Sequence, residues 1–206
     1  MPGSRVPRPS DVPSPAPYII KLGGSLIGAP ALADLLRALA TARAVIVAGG
    51  GPLADTVRAL QPRLGLSDAA CHRMAILAME QTALAFADIA GLPTAAGEAE
   101  IGRQLAEGRC VVWRPAALTF DAPDLAESWE LTSDSLAAWL AARLRASRLT
   151  LVKSAPAAPG TTPADWAAAG LVDPLFPRYA ARFGGTVDLL TLEAARTALA
   201  DGSMAA

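Results

Sequence analysis

The sequence predicts an α/β protein with a mostly parallel sheet and helices on both faces. Two observations predict it. Short apolar runs at residues 18–20, 44–48, 110–113 and 148–152 alternate with longer segments of helical periodicity, the rhythm of successive strand–helix units. The first two runs lead into glycine turns, Gly23-Gly24-Ser25 and Gly49-Gly50-Gly51-Pro52, each followed by a helical pattern. In a sheet of this kind ligands lie outside the carboxyl ends of the strands, so the residues found there are the first candidates for function.

Taken in order, residues 1–17 are rich in proline and serine and show no apolar period, which predicts a disordered or loosely attached arm before a single domain over 18–206. Residues 18–20 form a buried strand that ends at Lys21. Leu32, Leu35, Leu36 and Leu39 share one helical face within 31–40. Residues 44–48 are a second buried strand. Pro52 suits a first helical turn, and Leu53, Val57 and Leu60 carry the helix on. Ser67 caps a long helix that runs to about Ala90 and is stopped by Gly91-Leu92-Pro93. Another helix over 98–107 ends at Gly108, and 110–113 is a strand. Ser133 or Asp134 caps a helix running to 146, and strand 148–152 delivers Lys153. Pro163 opens a short helix through Ala169, and Asp173-Pro174 marks a turn before a helix to about Arg182. A last strand over 184–190 and a helix over 192–200 complete the pattern.

Composition removes several function classes. A net charge of −1 gives no electrostatic footprint for nucleic acid or an anionic membrane surface. No apolar run reaches the length of a membrane span, and no apolar segment follows Arg5 and Arg8 as a signal peptide would require. Cys71 and Cys110 are far apart and lack metal-ligand spacing, so they read as buried thiols of a cytoplasmic protein. Aromatic residues make up 5% of the chain, so its core must be built from Ala, Leu and Val.

Of the 18 basic residues all but Lys21 and Lys153 are arginine, and both lysines end strands. A lysine is a compact ammonium with rotatable donors, suited to following a phosphoryl group as it moves. Lys21 followed by Gly23, Gly24 and Ser25 outlines a phosphate site: glycines admit backbone N–H groups close to an anion, and a helix start adds partial positive charge. The stretch is neither a dinucleotide fingerprint nor a Walker loop, because its lysine precedes the glycines. Gly49-Gly50-Gly51 is costly in a folded chain unless something lies against the backbone. Arg58 follows two helical turns later, either toward a substrate anion or in solvent. Asp134 is either a helix cap or a partner for the two lysines or a magnesium ion. His72, the one histidine, is either a partly buried helical residue or a general base.

Three motifs in this order, K-L-G-G-S at 21–25, V-A-G-G-G-P at 47–52 and T-S-D-S-L-A at 132–137, resemble those of the amino acid kinase family, which includes acetylglutamate, aspartate, uridylate and isopentenyl phosphate kinases. The resemblance covers about residues 18–153. It implies a three-layer α/β/α sandwich and transfer of the ATP γ-phosphoryl group, with Mg2+, to a small-molecule carboxylate or phosphate. It implies roles for Lys21 in neutralising the transferring group and for Gly23, Gly24 and Ser25 around the ATP phosphates. Gly49, Gly50, Gly51 and Arg58 fall on the acceptor side, and Asp134 organises the lysines. Larger members carry a later catalytic lysine after a Gly-Gly-Met segment. Here no lysine follows Lys153, and the nearest stretch is Phe183-Gly-Gly-Thr-Val-Asp188. Lys153 then takes a nucleotide-side role, or arginine substitutes, or activity is altered. The chain is most similar to a small subgroup that includes the kinase of methanofuran biosynthesis, through Trp129-Glu-Leu-Thr-Ser-Asp134 and Gly185-Thr-Val-Asp188. That enzyme converts an aminomethylfuran-methyl phosphate to the diphosphate. A homodimer is expected from the family. The rival expectation is a non-catalytic nucleotide- or anion-binding sensor or storage protein on the same fold.

Overall fold

The computed structural model describes residues 16–205, so the expected N-terminal arm lies outside the described residues except for its last two positions. Six strands form one sheet: β1 (Tyr18–Leu22), β2 (Ala44–Ala48), β3 (Thr94–Ala95), β4 (Val111–Trp113), β5 (Arg148–Lys153) and β6 (Thr186–Thr191). Their order is β3-β4-β2-β1-β5-β6, and all five pairings are parallel. The chain steps from β1 to β2 on one side, returns to β5 on the other, and then moves away to β6. The direction of winding therefore reverses between β1 and β5, where a crevice opens at the carboxyl ends of a doubly wound sheet.

Strands β1, β2 and β4 are buried along their whole length, as a parallel sheet covered on both faces requires. Side chains alternate between two cores. Ile19, Val45, Val47, Val111, Leu149 and Leu151 face one, which is closed by α4 (Glu98–Ala106), α6 (Ser133–Arg143), α7 (Pro163–Ala168) and α8 (Phe176–Phe183). Ile20, Leu22, Ile46, Val112 and Val152 face the other, closed by α1 (Leu32–Leu39) and α9 (Leu192–Ala200). The long helix α3 (Asp68–Ala90) serves both, with Ile76 and Met79 in the first core and Ala83 and Phe86 in the second. Helices thus cover both sides of the sheet, the expected three layers. The heavy use of Ala, Leu and Val in both cores is as the composition predicts.

Most predicted elements are present within a few residues. Two differ for a physical reason. Strand β3 spans only Thr94–Ala95, too short to leave a periodic signal, and α5 is a single turn at Ala116–Thr119. The N-cap of α6 is Thr132 and not Ser133 or Asp134, and the Asp134 carboxylate is paired with lysines.

Candidate active site

Residue parity on the strands brings the two lysines together. Lys21 lies on the same face of β1 as Ile19, and Lys153 on the same face of β5 as Leu149 and Leu151; β1 and β5 are neighbours in register, with Lys21 opposite Leu151. Both side chains therefore project toward the layer that holds α6. That helix begins at the carboxyl ends of the strands and carries Asp134 in its first turn. Lys21 Nζ lies 2.6 Å from Asp134 Oδ1, and Lys153 Nζ donates to Oδ2 at 2.7 Å. Lys21 and Asp134 are almost wholly buried, while Lys153 keeps 17% of its side chain exposed.

Two cations share one anion, so the cluster carries a net positive charge at the switch point of the sheet. Burial alone would push the Asp134 carboxyl up, but the two ammonium groups and the hydrogen bonds they donate outweigh it and hold the carboxyl below its ordinary value. Lys153 is lowered to about 8, by burial first and then by the Lys21 ammonium, against the attraction of Asp134. The sequence left Asp134 open between helix cap, lysine partner and magnesium contact; both of its oxygens face lysines.

The helix start that carries Asp134 is held by Asp173, which in the sequence stood out only as part of a turn. The Asp173 carboxylate accepts from the Thr132 N–H at 3.0 Å, the Thr132 hydroxyl at 2.9 Å, the Ser135 N–H at 3.0 Å and the Ser135 hydroxyl. It satisfies first-turn donors that an α-helix leaves without internal partners, and its charge suits a helix N-terminus. These partners lie about forty positions before it in the chain, so only an Asp-Pro turn was visible locally.

The glycine turns pack against each other. A Cβ on Gly24 would lie 2.4 Å from the Gly51 N and 2.5 Å from its Cα, and a Cβ on Gly49 would lie 2.5 Å from the Gly24 N. Gly51 also has a φ of +52°, a conformation that favours glycine. Backbone-to-backbone contact therefore accounts for Gly24, Gly49 and Gly51. The turn at Gly23-Gly24-Ser25 does not lead directly into α1, as the sequence suggested. It enters a 3-10 turn at Gly24–Leu26, and α1 begins only at Leu32. The helix start beside Gly24 is instead that of α2 (Gly51–Leu64), whose N-cap is Gly50. Gly23 sits against the Val152 carbonyl and the Lys153 side chain, and the exposed Ser25 hydroxyl reaches that of Ser154 at 3.4 Å.

A cavity of about 60 Å³ lies between α2, α3 and the segment 128–136. Its walls are mainly apolar, among them Ala54, Ile76, Met79, Leu131 and Leu136, and Gly50 contributes from the second glycine turn. Arg58, exposed and paired with Asp55 at 2.9 Å, also holds its guanidinium 4.4 Å from the centre of the Trp129 ring. The Trp129 indole N–H donates to Gln61 Oε1, which fixes that ring at the rim. His72, buried on α3, lines the same cavity. Neither Gly49 nor Gly51 is among the lining residues. The cavity leaves no signal in the sequence, because its walls come from three separated segments.

Among the described residues no group of three or more His, Cys, Asp or Glu side chains could hold a metal ion. Both Asp134 oxygens face lysines. This set of side chains fits magnesium that arrives on nucleotide phosphates, with the protein supplying cations, and not a protein-built cage.

A model of the amino acid kinase family matches residues 17–157. The chain belongs to the amino acid kinase family. Its fold is that of uridylate kinase from Archaeoglobus fulgidus, with a TM-score of 0.65 at 20% identity over 89% of this chain and 95% of that one. It is likewise similar to isopentenyl phosphate kinase from T. acidophilum, with a TM-score of 0.57 at 14% identity over 87% of this chain and 93% of that one. In sequence it is 28% identical over 127 residues to [5-(aminomethyl)furan-3-yl]methyl phosphate kinase of Methanocaldococcus jannaschii. That match spans 60% of this chain and 59% of the relative. The family match ends soon after Lys153, so α7, α8, β6 and α9 lie beyond it. Opposite Lys153 on β6 stands Thr191, the N-cap of α9, on the side where the sequence offers no further lysine.

Proposed function

We propose that this amino acid kinase family member is an ATP-dependent small-molecule kinase that phosphorylates a phosphomonoester to a diphosphate. The observation that carries the reading is the Lys21–Asp134–Lys153 cluster at the sheet's switch point. The acceptor is a compact phosphate of the [5-(aminomethyl)furan-3-yl]methyl type, by likeness to the relative of that name and by the small, largely apolar cavity. Magnesium, bound with the nucleotide, would supply further positive charge at the phosphates.

In the reaction an acceptor phosphate oxygen bonds to the γ-phosphorus as the bond from that phosphorus to the β–γ bridging oxygen breaks, and ADP leaves. A phosphomonoester has its second pKa near 6, so the attacking oxygen is already deprotonated at neutral pH and needs no general base. The difficulty is charge: two anions must meet. Lys21 and Lys153 neutralise the transferring phosphoryl group, Asp134 holds both ammonium groups in place, and Gly23, Gly24 and Ser25 flank the nucleotide phosphates. The start of α2 at Gly50 presents backbone N–H groups, and Arg58, paired with Asp55 and stacked on Trp129 at the cavity rim, offers the acceptor phosphate positive charge. Catalysis of this kind rests on positioning and electrostatics.

The test is ADP release from ATP and magnesium with [5-(aminomethyl)furan-3-yl]methyl phosphate, isopentenyl phosphate, UMP and aspartate as acceptors. Release with a phosphomonoester and none with aspartate is expected; the reverse would contradict the reading. The absence of any lysine after Lys153 favours a second reading, a non-catalytic nucleotide- or anion-binding protein. Nucleotide binding with no ADP release across the panel would establish it.

Two further parts belong to the proposal. Leu53, Leu64, Leu77, Leu84 and Ile89 on α2 and α3 are large exposed apolar side chains, a face suited to a homodimer. Light scattering should give twice the 21.1 kDa chain mass. A cytoplasmic location agrees with two buried free cysteines; among the described residues, no helix is long and apolar enough to cross a membrane.

A further inference from the structure

His72 is buried on the wall of the cavity, and its Nε2 finds no hydrogen-bond partner among the described residues. A buried polar atom without a partner is costly and calls for an explanation. The Ser128 backbone lies close enough to the imidazole to act on it as a hydrogen-bond acceptor. A neutral ring with its proton on Nδ1, toward that carbonyl, carries a lone pair on Nε2. Burial, as the largest influence, keeps the ring neutral by lowering its pKa against the opposing effects of Ser128 and Glu127. Ser128, Thr132 and Ser133 also line the cavity, but none of their hydroxyls makes a hydrogen bond to Nε2; the Thr132 hydroxyl donates to Asp173, and Arg58 is held over Trp129.

We propose that His72 is a specificity residue for the acceptor, its Nε2 accepting a hydrogen bond from a primary ammonium group on the acceptor's body. The inference rests on the kinase reading above and deepens it by naming a second recognition element besides the phosphate. A site built to accept a hydrogen bond discriminates strongly, because an acceptor without the donor leaves the nitrogen buried and unpaired. Nearby charge permits an ammonium: Glu127 lies close enough to act on the imidazole, and the Arg73 guanidinium is paired with that carboxylate at 3.2 Å. The cavity's size fits a body no larger than a small ring carrying such a group, since one water needs about 10–15 Å³ of comparable volume against about 60 Å³ here.

The experiment compares two acceptors of one skeleton, [5-(aminomethyl)furan-3-yl]methyl phosphate and its analogue with methyl in place of aminomethyl, by turnover and by calorimetric binding. The wild type should show a KM about tenfold or more lower for the amine, with a smaller change in kcat. His72→Leu should abolish most of that preference by weakening the amine, and His72→Gln, which keeps an acceptor oxygen, should restore part of it. Equal KM values for the two acceptors in the wild type would overturn the inference while leaving the kinase reading intact, whether or not the variants fold. So would a His72→Leu enzyme that keeps the preference. If the wild type neither binds nor turns over either acceptor, this inference falls together with the furan-type acceptor, while turnover of isopentenyl phosphate or UMP would keep the kinase reading.

Discussion

In the lysine–aspartate cluster every charged group has a partner, whereas in the cavity beside it a buried nitrogen has none. The cluster is assembled from strand ends and one helix start, and its Asp134 is held by two lysines at 2.6 and 2.7 Å. The cavity is assembled from helix faces and a loop, is mostly apolar, and leaves His72 Nε2 open. The difference separates two tasks. A site that meets phosphate must keep its cations positioned before the ligand arrives, since reorganising them during transfer would raise the barrier. A site that selects among acceptors gains from a group satisfied only by the right one.

The largest expected effect tests the charged half. Lys21→Ala should lower kcat about a thousandfold, as removal of a preorganised charge-stabilising group does. It should leave the ratio of KM values for amine and methyl acceptors unchanged. Turnover within threefold of wild type would mean that the cluster is structural. Asp173→Ala should come next. It strips four hydrogen bonds from the first turn of α6 and should destabilise the fold by about 3 kcal/mol, read as a lower urea midpoint at unchanged slope. A loss under about 0.5 kcal/mol would show that α6 does not depend on this carboxylate.

The smallest effect is a pH dependence. The folded value of Lys153, about 8, lies below the ordinary lysine value of 10.5. Between these values the folded protein has lost a proton that the unfolded chain keeps, so this group alone makes stability rise with pH across that window. Its attraction for nucleotide phosphates is lost over the same range. ATP affinity should therefore weaken a few-fold as pH rises past about 8 in the wild type, while Lys153→Arg, which stays charged, should flatten the profile. An equally steep profile in both proteins would assign the titration to another group.

The same contrast explains what the sequence could disclose. Lys21 and Lys153 stood out because each ends an apolar run in a chain that otherwise uses arginine, and strand parity then brought both to one face. Asp134 was visible as one of three ordered motifs. Asp173 was not, because its work is done on Thr132 and Ser135, far away in sequence. The glycines were legible as turns, but the reason for them was not: Gly24 and Gly51 meet backbone to backbone, which no local pattern encodes. The cavity was the least legible part. Apolar helix faces look alike whether they line a core or a pocket, and His72 looked like an ordinary helical residue until its neighbours were in place.

The most direct measurement of the central claim is 31P NMR of wild-type protein and Lys21→Ala incubated with ATP, magnesium and [5-(aminomethyl)furan-3-yl]methyl phosphate. The account predicts a new pair of coupled diphosphate resonances appearing with ADP in the wild type, in equal amounts, and about a thousandfold more slowly in the variant. ATP consumed only to ADP and inorganic phosphate, or a diphosphate formed equally fast without Lys21, would contradict it.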